Sequence, residues 1–334
     1  MNKLQNNQFP LEGWIPEGDP DSGLAQWMDL RGTYNEHDAR ETSTQPLVLP
    51  WSQFETRVAE QKKVRVSLRS QGFCYWPWVV AKYFKTGWDD FSQGNRGSCA
   101  GCSTNNAVNA MLLTHLVDGY RLHYKRFNPY PTWDLGKRDA NYNGEGASLS
   151  MMLTCANKRG MFDVEKVGTY DDSLRNPPKY TNELLNDAAR CQIGACYLGD
   201  FQGVELARIV FDCLAAGFPV VIGNSVAVSQ QVNYTGKIKT AINRGSWMHA
   251  TARVAYRKED DGTEYIAHQG SWGKYWEVGK CENEPASVIW ESFDTFTQAC
   301  SGRYVDVFAI CMIEGEFMLM SDFDITPIRI EVPR

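Results

Sequence analysis

The feature that most constrains the fold is an apolar segment over residues 100–117, which follows directly on a loop containing two glycines. Apolar residues recur in this segment at helical spacing, enough to bury one face or more against a core. Because Cys99 immediately precedes the segment, the pattern predicts a thiol at the N-terminus of a central helix. The unpaired backbone N–H groups and the helix dipole at that position favour a negatively charged sulfur.

Composition sets broad limits on the function. With 334 residues, 43% apolar and 22% charged, the chain is of ordinary globular type and long enough to bury a sizeable core. A net charge of −6 without a basic cluster argues against a nucleic-acid partner. The N-terminus lacks the apolar core of a secretion signal, and no apolar run approaches the ~20 residues that span a bilayer. We therefore expect a protein without a membrane partner, made in a reducing cytoplasm and kept there or incorporated into a particle assembled there, with mostly free cysteines.

Two short motifs further along the chain supply a histidine that would act together with this thiol. They are Trp247-Met248-His249-Ala250 and Gly270-Ser271-Trp272-Gly273. A thiol becomes a useful nucleophile as thiolate, a form that an imidazole across a cleft favours. Together with residues 93–99, and in this order, the motifs resemble the active site of papain-like cysteine peptidases of the microbial and viral type. His249 follows Cys99 by about 150 residues, at the edge of the ~130–150 residue spacing of that family.

The resemblance covers roughly residues 90–312 and implies an α+β, papain-like two-lobed fold. A helical lobe and an antiparallel sheet or barrel lobe would enclose a cleft. The implied parts are an N-terminal arm (1–70), a peptidase domain (71–312, with a helical half 71–200 and a sheet half 201–312) and a C-terminal extension (313–334). Local patterns predict helices around residues 54–64, 149–158 and 204–216 and a hairpin turn at residues 260–262.

The resemblance also implies a role for each site residue. Cys99 would be the nucleophile, His249 the base and then the acid, and Gln93 the side-chain donor to the oxyanion. Residues that would bind a peptide or protein substrate, or shield the imidazole, are Gly144, Glu145, Gly146 and Trp272. No metal or organic cofactor is implied. A zinc site built from Cys99, Cys102, Cys191 and Cys196 is disfavoured by the loose spacing of the second pair.

Plainer interpretations of single residues compete with these roles. A lone histidine after a tryptophan is more often a structural residue than a base, and a loop glutamate such as Glu145 is more often simply exposed. A second register is also open, because Cys102 also fits a family pattern of two cysteines three apart. That register would place Arg96 at the oxyanion position, whereas the Cys99 register keeps Gln93. The Cys99 register is preferred, with Cys102 as a small buried residue one helical turn inward.

Position 270 departs from the family pattern. The family orients its histidine with an asparagine just before Ser-Trp-Gly, and here that residue is Gly270. Gln269 is adjacent but should point to the other side of the strand, whereas His268 should share the face of Gly270. Either residue is a candidate orienting group.

Three functions therefore stay open. The first is an active cysteine endopeptidase. The second is a catalytically inactive peptidase-fold protein with a structural or assembly role in a virion, such as that of a bacteriophage, which would contact partner chains through its terminal arms. The third is cleavage of an isopeptide or cell-wall amide by the same thiol chemistry.

Overall fold

The computed structural model describes residues 48–69, 76–88, 90–117, 120–121, 125–228, 233–235, 238–241, 243–273, 284–285, 287–313 and 318–319. The expectations for residues 1–47, and nearly all of those for the C-terminal extension, lie outside these ranges. The helices are α1 (Trp51–Arg69), α2 (Pro77–Phe84), α3 (Cys99–Val117), α4 (Pro129–Asp139), α5 (Leu149–Lys158), α6 (Val164–Val167), α7 (Tyr170–Arg175), α8 (Asn182–Ala188), α9 (Gly203–Ala215) and α10 (Phe293–Cys300). The strands are β1 (Val48–Leu49), β2 (Tyr120–Arg121), β3 (Ile193–Tyr197), β4 (Val220–Val228), β5 (Asn233–Thr235), β6 (Ile238–Thr240), β7 (Asn243–Lys258), β8 (Glu264–Gln269), β9 (Val288–Ser292), β10 (Val305–Ile313) and β11 (Met318–Leu319).

Helix α3 is the predicted central helix, and it begins at Cys99. Every residue from position 99 to position 114 is buried, so the helix is covered on all sides over most of its length. It packs against α4, α5 and strands β4, β7 and β10. A Cβ on Gly101 would lie 2.9 Å from the Cβ of Trp133, so the absence of a side chain there lets α3 and α4 approach closely.

One open sheet of nine strands forms the other half of the fold, in the order β1-β3-β10-β4-β7-β8-β9-β6-β5. Its pairs are antiparallel except β1 with β3 and β6 with β9. Runs of consecutive buried residues in β3 and β4 show that both faces of the sheet are covered. The predicted α+β class is thus confirmed, with an open sheet rather than a closed barrel among the described strands. Two strands of this sheet, β1 and β3, come from the part of the chain before residue 201, which was predicted to be the helical half.

Three local predictions agree with the structure. Helix α5 spans the expected residues, and the side chain of Ser148 caps it by accepting the N–H of Met151 at 3.2 Å. Helix α9 begins one residue earlier and ends one residue earlier than expected. Gly262 has a φ of +88° in the turn between β7 and β8, where a glycine avoids backbone strain.

Helix α1 contains the predicted charged helix and extends beyond it at both ends. Phe54 and Val58 are buried in the main core, and the ring of Phe54 lies 4.8 Å from that of Phe218. Lys62 forms an ion pair of 2.5 Å with Asp212 on α9. The described part of the N-terminal arm therefore packs on the body of the protein beside α9.

None of the helices within the described ranges combines the length and apolar character needed to cross a membrane. The eight cysteines of these ranges are free thiols, and seven of them are buried.

Candidate active site

Three segments that are distant in sequence meet around the predicted site. They are the loop before α3, strand β7 and the segment after β8. The backbone N–H of Gln93 donates to the carbonyl of Ser271 at 2.8 Å, and Ser92 forms an isolated antiparallel bridge with Trp272. The loop that leads to Cys99 is therefore joined to the Ser-Trp-Gly segment by backbone hydrogen bonds.

The thiol of Cys99 lies against the backbone beside His249. Its Sγ atom accepts the N–H of Ala250 at a distance of 3.5 Å, across 151 residues of sequence. Cys99 is fully buried. Burial raises the pKa of its thiol to about 12, although the N–H of Ala250 acts in the opposite direction. In this closed arrangement the sulfur therefore carries its proton at neutral pH.

The imidazole of His249 lies among aromatic rings and is 1% exposed. It stacks on Trp272 with ring centroids 4.7 Å apart and an interplanar angle of 11°. Burial, followed by the nearby His268 and Arg253, lowers the pKa of His249 to about 3. Its Nε2 atom is buried and has no hydrogen-bond partner among the described residues. The histidine is therefore neutral at physiological pH and is held by ring contacts rather than by a hydrogen bond to Nε2.

Position 270, the place of the asparagine in the papain-like pattern, is a glycine here. The ring of Trp272 lies in the space beside its Cα atom. A Cβ built on Gly270 would lie 2.5 and 2.6 Å from two atoms of that ring. Any side chain at this position would collide with the indole. The glycine and the stacked tryptophan therefore form one arrangement, in which the indole fills the space that a side chain at position 270 would need.

Gln93 is fully buried within the loop that precedes Cys99. Its Nε2 donates to the carbonyl of Arg96 at 2.8 Å, and its Oε1 accepts a short hydrogen bond from the hydroxyl of Ser271. Because an amide nitrogen carries two hydrogens, Gln93 has a second donor in addition to the one it gives to Arg96. Ser271 was not predicted from the sequence as a partner of this glutamine.

The predicted substrate segment lies against the same loop. A Cβ on Gly97 would lie 2.5 Å from the carbonyl oxygen of Glu145 and 3.0 Å from the nitrogen of Gly146. The Glu145 side chain is exposed and forms a 3.4 Å ion pair with Arg96. Gly144 lies next to it and contacts the ring of Tyr142. The structure thus brings residues 144–146 close to the loop that precedes Cys99.

A buried charged cluster lies on strands β7, β8 and β9 near His249, and sequence reasoning identified only one of its members. Arg253 donates to Glu291 at 2.6 Å and to Thr251 at 2.6 Å, and Nδ1 of His268 lies 3.4 Å from Glu291. The pairing of β7 with β8 places His268 opposite Arg253. Gln269 lies opposite Ala252, on the other face of the sheet. A sequence signal existed, because a charge within an otherwise apolar strand indicates a buried pair.

Among the described residues, no three His, Cys, Asp or Glu side chains are grouped as ligands of a metal ion.

No protein-family model matches the sequence, and no curated protein matches it. Several solved structures are similar in fold. Xylellain, a cysteine protease from Xylella fastidiosa, is 16% identical with a TM-score of 0.46, over 66% of this chain and 81% of its own. Bromelain from Ananas comosus, in complex with the E64 inhibitor, is 15% identical with a TM-score of 0.46, over 69% of this chain and 96% of its own. Digestive procathepsin L 3 of Tenebrio molitor is 15% identical with a TM-score of 0.44, over 67% of this chain and 66% of its own.

Proposed function

We propose that the chain is a papain-like cysteine peptidase with Cys99 as nucleophile and His249 as base and acid. The observation that carries this proposal is the 3.5 Å contact between the Cys99 sulfur and the N–H of Ala250. This contact joins the N-terminus of the central helix to the residue that follows the histidine. A helix N-terminus stabilises a thiolate, and in this proposal the imidazole of His249, one residue before Ala250, takes the thiol proton.

In the proposed reaction, His249 takes the thiol proton and the Cys99 thiolate attacks the carbonyl carbon of a peptide bond. The second N–H of the Gln93 amide and the backbone N–H of Cys99 stabilise the oxyanion. His249 then gives its proton to the leaving amine, which departs as the acyl-enzyme forms. A water molecule, deprotonated by His249, hydrolyses the thioester and releases the thiol.

Proton transfer from thiol to imidazole requires water or substrate to enter the closed site. With the thiol pKa near 12 and the imidazole pKa near 3, the neutral pair is strongly favoured while both groups are buried. Hydration removes the burial effect and returns both pKa values toward their usual ~8.5 and ~6.5. The proposed enzyme therefore works through an opened form of the site.

Turnover of an unfolded protein substrate tests this proposal. Cys99→Ala and His249→Gln should each reduce turnover to background, and Gln93→Ala should reduce it about 10²–10³-fold. Cys102→Ala is the matched control, because it removes a buried thiol one helical turn away and should keep activity. If Cys102→Ala were inactive and Cys99→Ala active, the second register would replace the proposed one.

We propose as a second candidate a catalytically inactive protein with this fold, acting in the assembly of a virion through its terminal arms. Three observations favour this alternative: the thiol of Cys99 is fully buried, Nε2 of His249 has no hydrogen-bond partner within the described part of the chain, and position 270 is a glycine. Iodoacetamide labelling near neutral pH separates the two candidates. A peptidase should be modified at Cys99 faster than at its other thiols, and His249→Gln should remove that preference. Equal labelling of the accessible cysteines, together with no turnover, would favour the assembly role.

A further inference from the structure

Two tryptophan rings enclose the imidazole of His249. Besides the stacked ring of Trp272, the ring of Trp247 lies 5.0 Å from His249 at an angle of 49°. The two indoles are themselves 5.3 Å apart. Each of the three rings therefore contacts the other two, and rotation of the imidazole would bring it into collision with an indole.

A bulge in strand β7 places Trp247 in this position. Asn224 on β4 pairs with His249 on β7, and Val226 pairs with Ser246. Between these two pairs β4 advances by two residues, whereas β7 advances by three. The extra residue in β7 is a β-bulge, a feature that re-aims side chains next to functional sites. Trp247 lies within this bulge and reaches the imidazole two residues further along the same strand.

Asn224 fixes the orientation of Trp247. It lies directly opposite His249 in the pairing of β4 with β7 and is 1% exposed. Its Oδ1 accepts the indole N–H of Trp247 at 3.0 Å. Any other orientation of the indole would leave this buried N–H without its acceptor, which is unfavourable, so the hydrogen bond holds the ring in one orientation.

We propose that Asn224 and Trp247 are the positioning residues of His249 and replace the orienting amide that position 270 cannot hold. Trp272 excludes such an amide, and Nε2 of His249 has no partner among the described residues, so ring contacts are what orient the imidazole. The importance of this positioning for catalysis rests on the proposed peptidase function. The positioning itself is a property of the folded protein and can be measured without a substrate.

The test is a pH titration of the His249 ring signals by NMR, with histidines labelled with ¹³C and His249 assigned from His249→Gln. Asn224→Leu removes the acceptor of the Trp247 N–H. We expect it to split or broaden the His249 signal, or to shift its titration midpoint by about half a pH unit or more. The matched control is Asn157→Leu, which removes a 2.7 Å side-chain hydrogen bond to Ile193 elsewhere in the fold. This control should lower stability but leave the His249 titration unchanged.

A double variant covers the case in which Asn224→Leu does not fold. Asn224→Leu with Trp247→Phe removes donor and acceptor together, so no buried polar group is left unpaired. The phenyl ring has no hydrogen bond to hold it, and the His249 titration should still differ from wild type. A wild-type titration in the folded variants would overturn the proposal. If the wild-type protein shows no turnover while Asn224→Leu alters the His249 signals, the proposed function fails and the positioning stands.

Discussion

At the scale of single residues, the glycine at position 270 defines how this site differs from the family pattern. The ring of Trp272 lies within 2.5 Å of the place where a Cβ would be. The absence of a side chain at position 270 is thus coupled to the position of the indole, which stacks on His249. An asparagine introduced at position 270 should therefore displace the indole from the imidazole.

We expect Gly270→Asn to destabilise the fold by about 1–3 kcal/mol, because it overpacks a buried site. It should also lower the rate of Cys99 alkylation, since the indole must leave the imidazole. Urea unfolding and iodoacetamide kinetics measure the two effects. Gly270→Ala is the control, which should cause a similar collision without adding an amide. An asparagine variant that is as stable as wild type and more reactive would contradict the coupling.

At the scale of elements, the site depends on the close approach of the loop before α3 to the segment at residues 144–146. Gly97 allows this approach because a Cβ there would lie 2.5 Å from the backbone oxygen of Glu145. The indole N–H of Trp133 donates to the carbonyl of Gly97 at 3.2 Å and holds the loop against α4. The contact involves backbone on both sides, which cannot turn away as a flexible side chain would.

Gly97→Ala should separate these two segments and destabilise the protein by about 1–3 kcal/mol. Gly94→Asn in the same loop is the control: nothing lies within 4 Å of its Cβ position, and asparagine tolerates its φ of +58°. Thermal unfolding of both variants compares them directly. Equal stability of the two would show that the approach at Gly97 is not tight.

The strands β7 and β9 are joined by the buried ion pair of Arg253 and Glu291. Burial raises the pKa of Glu291, but Arg253 and then His268 act against it and lower the pKa to about 2 overall. Glu291→Gln leaves the arginine charge buried and should cost about 3–5 kcal/mol. Arg253→Met combined with Glu291→Leu should recover part of that loss. Glu145→Gln removes an exposed ion pair and should cost at most about 1 kcal/mol in the same urea unfolding measurement.

At the scale of the whole molecule, two buried histidines and the half-buried His115 make stability depend on pH. Burial lowers the pKa of His115 and of His268 to about 4, and that of His249 to about 3. These groups stay neutral in the folded protein but bind protons in the unfolded chain below about pH 6.5. Because the unfolded state binds more protons, stability is complete above pH 6.5 and decreases as the pH falls toward 4.

Melting temperatures between pH 7.5 and pH 4 should therefore fall steadily, with most of the decrease below pH 6.5. Below about pH 4.5 the protonation of Glu291 in the unfolded chain should add to the loss. His249→Gln should flatten the decrease, since it removes one group that titrates only on unfolding. A melting temperature that stays constant down to pH 4.5 would show that these histidines are reached by water in the folded state.

The sequence was sufficient for elements defined by local patterns. Helix α5, helix α9 and the turn at Gly262 agree with the predictions because periodicity, caps and turn residues act over a few positions. Cys99 at the start of α3 belongs to this group as well. The strand β1 was not predicted, because a two-residue edge strand depends on its partner β3 rather than on its own residues.

By itself, the sequence determined several helices, one turn and the α+β class, and it named Cys99, His249 and Gln93 as candidate site residues. The tertiary structure alone decided how the residues around them are held: Trp272 against Gly270, Asn224 opposite His249, and Arg253 paired with Glu291. The last two contacts join different strands, and the stacking of Trp272 on His249 joins segments more than 20 residues apart, so no local pattern encodes them. Burial, which sets the pKa values of Cys99 and His249, is likewise a property of the packed molecule.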